Sequence, residues 1–103
     1  MILSEQELAV QREAAARLVE TGRRLRVAHY EVVVGCADFA DGVVWAADGA
    51  SSAAAWLAGR FDVEVCTVRG WIAVGRALRG LGATAVAFAA GELSFSKVRA
   101  VCR

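Results

Sequence analysis

Apolar and small residues recur at steps of three, four or seven positions along the first half of the chain. This spacing predicts one stripe of a long helix that packs lengthwise on another helix. Ser4 and Glu7 form a capping box that begins the helix, and Asp48-Gly49 is expected to end it. Gly22 and Gly35 each weaken the helix by about 1 kcal/mol relative to Ala, so the pattern fits one long helix or two collinear helices. The stripe comprises Leu8, Ala15, Leu18, Gly22, Leu25, His29, Val32, Cys36, Phe39, Val43 and Ala46.

The second half of the chain predicts a bundle of about four shorter helices separated by glycine-containing turns. No segment alternates with period two over a convincing length, although the β-branched Tyr30–Val34 is the least helical segment. The predicted fold class is therefore all-α, with residues 1–103 as one domain, a long helix over 1–48 and the bundle over 49–103. The first bundle helix is expected from a cap at Ser51 or Ser52 to Ala58, with a stop at Gly59, and the second from a cap at Asp62 to about Arg79, with Val65, Val68, Ile72 and Leu78 buried. The third is expected over Thr84–Ala90, with a stop at Gly91. The fourth follows a cap at Ser94 and carries Val98 and Val101.

The first two bundle helices have the proportions of a helix-turn-helix. In this interpretation, apolar residues hold the helices together and the second helix presents polar residues outward. Asp62 and Glu64 would repel a phosphate backbone unless they accept hydrogen bonds from cytosine. A helical hairpin that only packs is therefore an equal alternative. The holding residues would be Trp56, Leu57, Val65 and Val68, and the outward ones Glu64, Thr67 and Arg69.

Composition makes the predicted core thin. The chain has 103 residues and is 57% hydrophobic, but twenty-two of its residues are Ala and fifteen are Val. A partner surface could supply some of the missing burial. The longest charge-free run, Gly80–Gly91, is too short for a membrane span. Three widely spaced cysteines and the lack of a signal peptide favour a cytoplasmic protein with reduced thiols. The abrupt end at Arg103 suggests a fragment or a truncated product.

Charge is divided unevenly between an acidic front and a basic back. Residues 1–59 carry eight acids and five bases, and residues 60–103 carry three acids and seven bases. A basic half is typical of a surface that binds phosphates, since Lys and Arg displace condensed counterions. It is equally typical of a solvated helix face. The candidate nucleic-acid-binding residues are Arg69, Arg76, Arg79, Lys97, Arg99 and Arg103.

The residues that could carry catalysis or bind a metal do not form a recognisable motif. The single His29 lies on the long-helix stripe, where a core or interface histidine is the better interpretation than a general base. The thiols Cys36, Cys66 and Cys102 are too far apart for the usual zinc ligand spacing, so we interpret them as buried free thiols. The sequence indicates no enzyme activity, cofactor, metal or small-molecule ligand. The acids Asp38, Asp41 and Asp48 fit turns or helix ends better than a metal site, and Trp45, Trp56 and Trp71 fit core volume better than base stacking.

Four segments in the second part of the chain follow one characteristic order: Asp48–Ala58, Val74–Leu78, Ala87–Ser94 and Lys97–Arg99. In this order they resemble the N-terminal domain of the 13E12 repeat family of GC-rich bacteria, a domain of unknown function. The resemblance implies an all-helical domain that usually precedes an HNH endonuclease module with clustered Cys and His ligands. This sequence lacks those ligands, and it has Leu81-Gly82 where the family usually has Leu-Pro. Residues 71–101 are also similar to the helical DNA-binding core of partition proteins, a likeness of fold that does not transfer function.

Two functions follow as expectations. The first is a non-catalytic helical module that binds duplex DNA, or targets an HNH-type protein to it, through the six basic residues. The second is an assembly domain that forms a homodimer through the long-helix stripe and has no nucleic-acid role.

Overall fold

The computed structural model describes residues 2–103, and all the regular structure in that range is helical. This confirms the all-α fold class and the arrangement of one long N-terminal helix with shorter helices packed against it. The helices are α1 (Glu5–Asp41), α2 (Val44–Ala47), α3 (Ala53–Phe61), α4 (Val65–Leu78), α5 (Gly82–Ala89) and α6 (Phe95–Val101).

Helix α1 runs without interruption through both glycines that could have divided it. The Ser4 hydroxyl accepts a hydrogen bond from the Glu7 amide at 3.1 Å, as the capping box predicts. The expected end at residue 48 is wrong, because α1 ends at Asp41 and the backbone is extended at Gly42. One turn, α2, follows, and it ends where Gly49 adopts a positive φ of 81°.

Helix α3 extends three residues beyond its predicted last residue, Ala58. Ser52 caps α3 through its hydroxyl, 3.0 Å from the Ala55 amide. Gly59 does not stop the helix, which continues to Phe61 and ends at Asp62 in the left-handed conformation. Asp62 is therefore a C-terminal cap rather than the start of α4. Short polar side chains are the non-glycine residues that tolerate this conformation best, which explains why the chain turns here.

The corner between α5 and α6 packs directly on α1. Gly91 has a φ of 77°, and a Cβ atom there would lie 2.9–3.0 Å from atoms of Arg23 and Val27. Arg26 Nε donates to the Gly91 carbonyl oxygen at 2.6 Å. The predicted stop at Gly91 thus also holds the corner against α1. Helix α5 begins two residues earlier than expected, at Gly82, and the Ser94 cap of α6 is confirmed by its bond to the Lys97 amide.

The core consists of two apolar clusters, both of which α1 helps to form. The α3 core lies between α1, α3 and α4, and the α6 core lies between α1, α4, α5 and α6. Their members are small, as the Ala- and Val-rich composition indicates. The buried residues of the α3 core are Cys36, Ala54, Leu57, Ala58, Val68 and Ile72, and those of the α6 core are Val33, Val74, Leu78, Phe88 and Val98.

Helices α1 and α4 lie very close together at Gly75. A Cβ atom at this position would lie 2.5 Å from the Val33 carbonyl oxygen and 2.7 Å from the Ala37 Cβ. Glycine is therefore required for two backbones to come this close. The α1–α4 contact is the most extensive between any two helices of the described chain.

The first half of α1 extends beyond the bundle. Every residue from 2 to 21 is exposed, and the molecule measures 61 × 30 × 18 Å along its principal axes. Helical residues 5–21 correspond to about 25 Å of helix axis. Within residues 2–103, no helix has both the length and the apolar composition that crossing a membrane requires.

Candidate functional site

Two of the six predicted basic residues are paired with acids on α1. Arg76 and Arg79 form salt bridges with α1, Arg76 to Asp41 at 3.0 Å and Arg79 to both Asp41 at 2.6 Å and Asp38 at 3.0 Å. These bonds lower the pKa of the Asp41 carboxyl below its ordinary value, the Arg79 hydrogen bond contributing most and the Arg76 hydrogen bond next. Asp38 and Asp41 therefore form ion pairs with arginines in addition to lying at the end of a helix. The sequence does not reveal these pairs, because 35–41 residues separate each aspartate from its arginine.

Four of the six predicted basic residues line two grooves beside α4. Arg69 and Arg76 line an open groove of about 320 Å³ beside Ser52. A second groove of about 250 Å³ is lined by Arg99 and Arg103. Ala73 lines both grooves, so the two grooves adjoin at this residue of α4. We call Arg69, Arg76, Arg99 and Arg103 the arginine face. Arg79 lines a different groove, with Tyr30 and Asp38, and Lys97 lines neither groove of the face.

Helices α3 and α4 pack against each other through the four residues that the sequence assigns to their contact. Leu57 and Val68 are buried in the α3 core, and Trp56 and Val65 pack against it. The predicted outward residues Glu64, Thr67 and Arg69 are exposed. This packing is common to a helix-turn-helix and to a hairpin that only packs.

The tryptophans are only partly the core residues that the sequence predicts. All three are half-buried, and Trp56 and Trp71 pack against the α3 core. Trp56 Nε1 donates to the Asp48 carboxylate at 2.8 Å, and the Arg60 guanidinium lies 3.6 Å from its ring centroid. Trp45 lies outside both core clusters and donates to the Gly42 carbonyl oxygen at 3.1 Å.

His29 lies among aromatic rings, as the interpretation of a core or interface histidine expects. Its ring stacks on Phe95 with centroids 4.6 Å apart and meets the edge of Trp71 at 5.7 Å. Its Nε2 atom is buried and has no hydrogen-bond partner among residues 2–103. Burial lowers the pKa of the imidazole below its ordinary value, so the ring favours the neutral form.

The three thiols are dispersed. Cys36 is buried and Cys102 half-buried, and burial raises the pKa of both thiols, which makes them poor nucleophiles. The expectation of buried thiols is wrong for Cys66, which is exposed at the start of α4. In the described part of the chain, no three His, Cys, Asp or Glu side chains come together as a metal site.

The apolar stripe of α1 is divided by its surroundings. Val32, Cys36 and Phe39 belong to the α3 core or pack on it. Leu8, Ala15, Leu18, Gly22 and Leu25 continue the same stripe along the part of α1 that projects from the bundle, and we call them the α1 stripe. Leu18 is 72% exposed and Leu25 is 69% exposed.

An apolar groove lies where the α1 stripe meets the bundle. It has a volume of about 290 Å³, and its walls are apolar apart from the His29 ring. The stripe therefore leads directly into a concave surface on the bundle. We call it the Trp71 groove, and it is lined by Leu25, Ala28, His29, Val32 and Trp71.

The molecule is thus an all-helical domain with a projecting apolar helix and a separate arginine face. Over residues 12–103 the chain matches the family described as Domain of unknown function (DUF222), and it belongs to that family. Neither the curated proteins nor the solved structures contain a match to it.

Proposed function

We propose that this domain is a non-catalytic assembly module that binds a second copy of itself through the α1 stripe. The observation that carries this proposal is the continuity of the stripe, which packs into the α3 core from Val32 to Phe39 and whose leucines at positions 8, 18 and 25 are exposed. A soluble helix with one apolar face ordinarily buries that face along its length. A partner helix would complete the burial that the bundle begins.

Light scattering across a concentration series tests the assembly. We expect the wild-type chain to change from monomer to dimer, and the variant Leu18→Glu/Leu25→Glu to remain monomeric because a buried unpaired carboxylate is costly. Val10→Glu is the matched control, since Val10 is 64% exposed on α1 but lies off the stripe. A wild-type chain that stays monomeric at about 1 mM, or a dimer that the double variant leaves intact, would disprove the proposal.

Nucleic-acid binding is the second candidate function, and the arginine face favours it. Among residues 2–103, Arg69, Arg99 and Arg103 form no salt bridge. Their guanidinium groups are available to phosphates, whereas Arg76 is already held by Asp41. The resemblance to domains that precede HNH endonuclease modules agrees with a targeting role on DNA. Two domains in a dimer would present two such faces.

Fluorescence anisotropy with labelled duplex DNA at several salt concentrations tests this candidate. Each phosphate contact contributes about −0.9 to the slope of log affinity against log salt. We expect Arg99→Ala to make the slope less steep by about 0.9. Lys97→Ala, two residues away on α6 and outside both grooves, is the control and should leave the slope unchanged. Weak binding that is indifferent to salt would exclude the candidate.

A further inference from the structure

We propose that the two copies pair antiparallel, so that the N-terminal end of each α1 enters the Trp71 groove of the other copy. This inference rests on the assembly proposed above and specifies the orientation, register and docking site. Three independent features of the described chain lead to it: the position of the bundle, the order of large and small residues along the stripe, and the placement of charge.

The bundle excludes a parallel pair. Val32, Cys36 and Phe39 continue the stripe, and the α3 core covers them. A parallel partner helix lying on the α1 stripe would continue along these residues into the space that α4 occupies. An antiparallel partner ends at the bundle instead, because its first residues arrive there. Two projecting helices can therefore lie side by side over their exposed lengths in the antiparallel orientation.

The side-chain sizes along the stripe fix a register. When Leu8 lies opposite Leu25 of the other copy, Leu18 lies opposite Ala15 and Gln11 lies opposite Gly22. The bulky Leu18 thus faces a small partner, and Gln11 faces the residue with the most room. Alternation of large and small residues across a helix pair gives close packing. A parallel pair would instead place Ala15 opposite Ala15 and Gly22 opposite Gly22.

Charge supports the same orientation. The start of α1 carries Glu5 and Glu7, whereas Arg23, Arg24 and Arg26 lie where the helix meets the bundle. In the proposed register, Glu5 and Arg26 both flank the stripe, and Glu5 of each copy lies beside Arg26 of the other. Each acidic end therefore meets a basic segment. The helix dipoles also run in opposite directions, which is favourable.

The Trp71 groove accommodates the residues that precede the helix. In this register His29 lies opposite Ser4, so Ile2 and Leu3 of the other copy extend over the groove between Leu25 and Val32. Ile2 is 98% exposed in the single chain. Docking buries the Ile2 side chain, and its apolar surface contacts the apolar walls of the groove.

Cysteine cross-linking tests the orientation and register. The background replaces Cys66 and Cys102 with Ser, and Cys36 stays buried. Leu8→Cys and Leu25→Cys are prepared as separate chains, one of them enlarged by a fusion tag, and oxidised with diamide. We expect a disulfide between the two different chains when they are mixed, and none within either variant alone. Val10→Cys, which lies off the stripe, is the control and should not cross-link.

A second variant tests the groove. Ile2→Asp/Leu3→Asp lies outside α1 and should raise the dimer dissociation constant by about tenfold or more, since it places carboxylates against apolar walls. Cross-linking of Leu8→Cys to itself would show a parallel dimer and overturn this inference while leaving the assembly function standing. A dimer whose affinity Ile2→Asp/Leu3→Asp leaves unchanged would overturn the groove. A chain that is monomeric throughout would overturn both proposals.

Discussion

The imidazole of His29 illustrates how a single residue makes stability depend on pH. Its ring is held between Phe95 and Trp71, with a buried Nε2 that has no hydrogen-bond partner in residues 2–103. Burial lowers the pKa of folded His29 below the 6.5 of the unfolded chain. Between these two values the unfolded chain binds more protons than the folded one. The stabilisation is therefore complete above pH 6.5 and is lost as the pH falls through the folded value.

We expect His29→Phe to remove this part of the pH dependence while keeping the ring in its aromatic surroundings. At neutral pH the variant should be more stable by about 1 kcal/mol, because the buried nitrogen without a partner is gone. Urea unfolding of both chains at pH 7.5 and pH 5.5 measures the effect. The wild-type midpoint should decrease at the lower pH and the variant midpoint should change less. Parallel decreases in both chains would contradict this explanation.

At the scale of elements, the packing of α1 on α4 depends on one glycine. The carbonyl oxygen of Val33 lies within 2.5 Å of where a Gly75 Cβ would be placed, so neither backbone can shift cheaply to admit a methyl group. Gly70 lies in the same helix, and a Cβ there meets no atom within 4 Å. The two glycines of α4 therefore have opposite consequences for stability.

We expect Gly75→Ala to destabilise the fold by about 1–3 kcal/mol, the usual cost of overpacking. Gly70→Ala should stabilise it by about 0.5–1 kcal/mol, because alanine has the higher helix propensity. Chemical denaturation of both variants measures the two effects. A loss of stability in Gly70→Ala comparable to that in Gly75→Ala would contradict this explanation, because helix propensity favours alanine at both positions and only Gly75 lies at the α1–α4 contact.

For the whole molecule, the sequence predicts the helices well because local interactions define them. The serine caps at Ser4, Ser52 and Ser94 act within three residues of themselves, and all three are found in the structure. The errors occur at helix ends. Gly59 is a predicted stop, but α3 passes through it and is capped by Asp62 in the left-handed conformation. Glycine and aspartate both tolerate this conformation, so the local sequence leaves the end of α3 open between them.

The surfaces were less predictable than the helices. The sequence identifies six basic residues, yet it gives no sign that Arg76 and Arg79 meet acids on α1, because the partners lie 35 to 41 positions away. The stripe was expected as a single seam. Only the fold shows that the bundle covers the stripe from Val32 to Phe39 and leaves its first half and Val43 exposed, because that depends on where the later helices pack.

Because α1 is unbroken, the direction in which the α1 stripe faces relative to the bundle depends on the number of helical residues between them. From Glu5 to Asp41 the backbone has no hinge, and the corner at Gly91 holds it beside Arg23 and Val27. Each residue inserted after Leu18 would turn the outer stripe by about 100° and move it outward by about 1.5 Å. A seven-residue insertion would lengthen the projection by about 10 Å and nearly restore its direction. The reach of such a domain can thus change while the stripe keeps its direction only in steps that nearly complete whole helical turns, such as seven, eleven or eighteen residues.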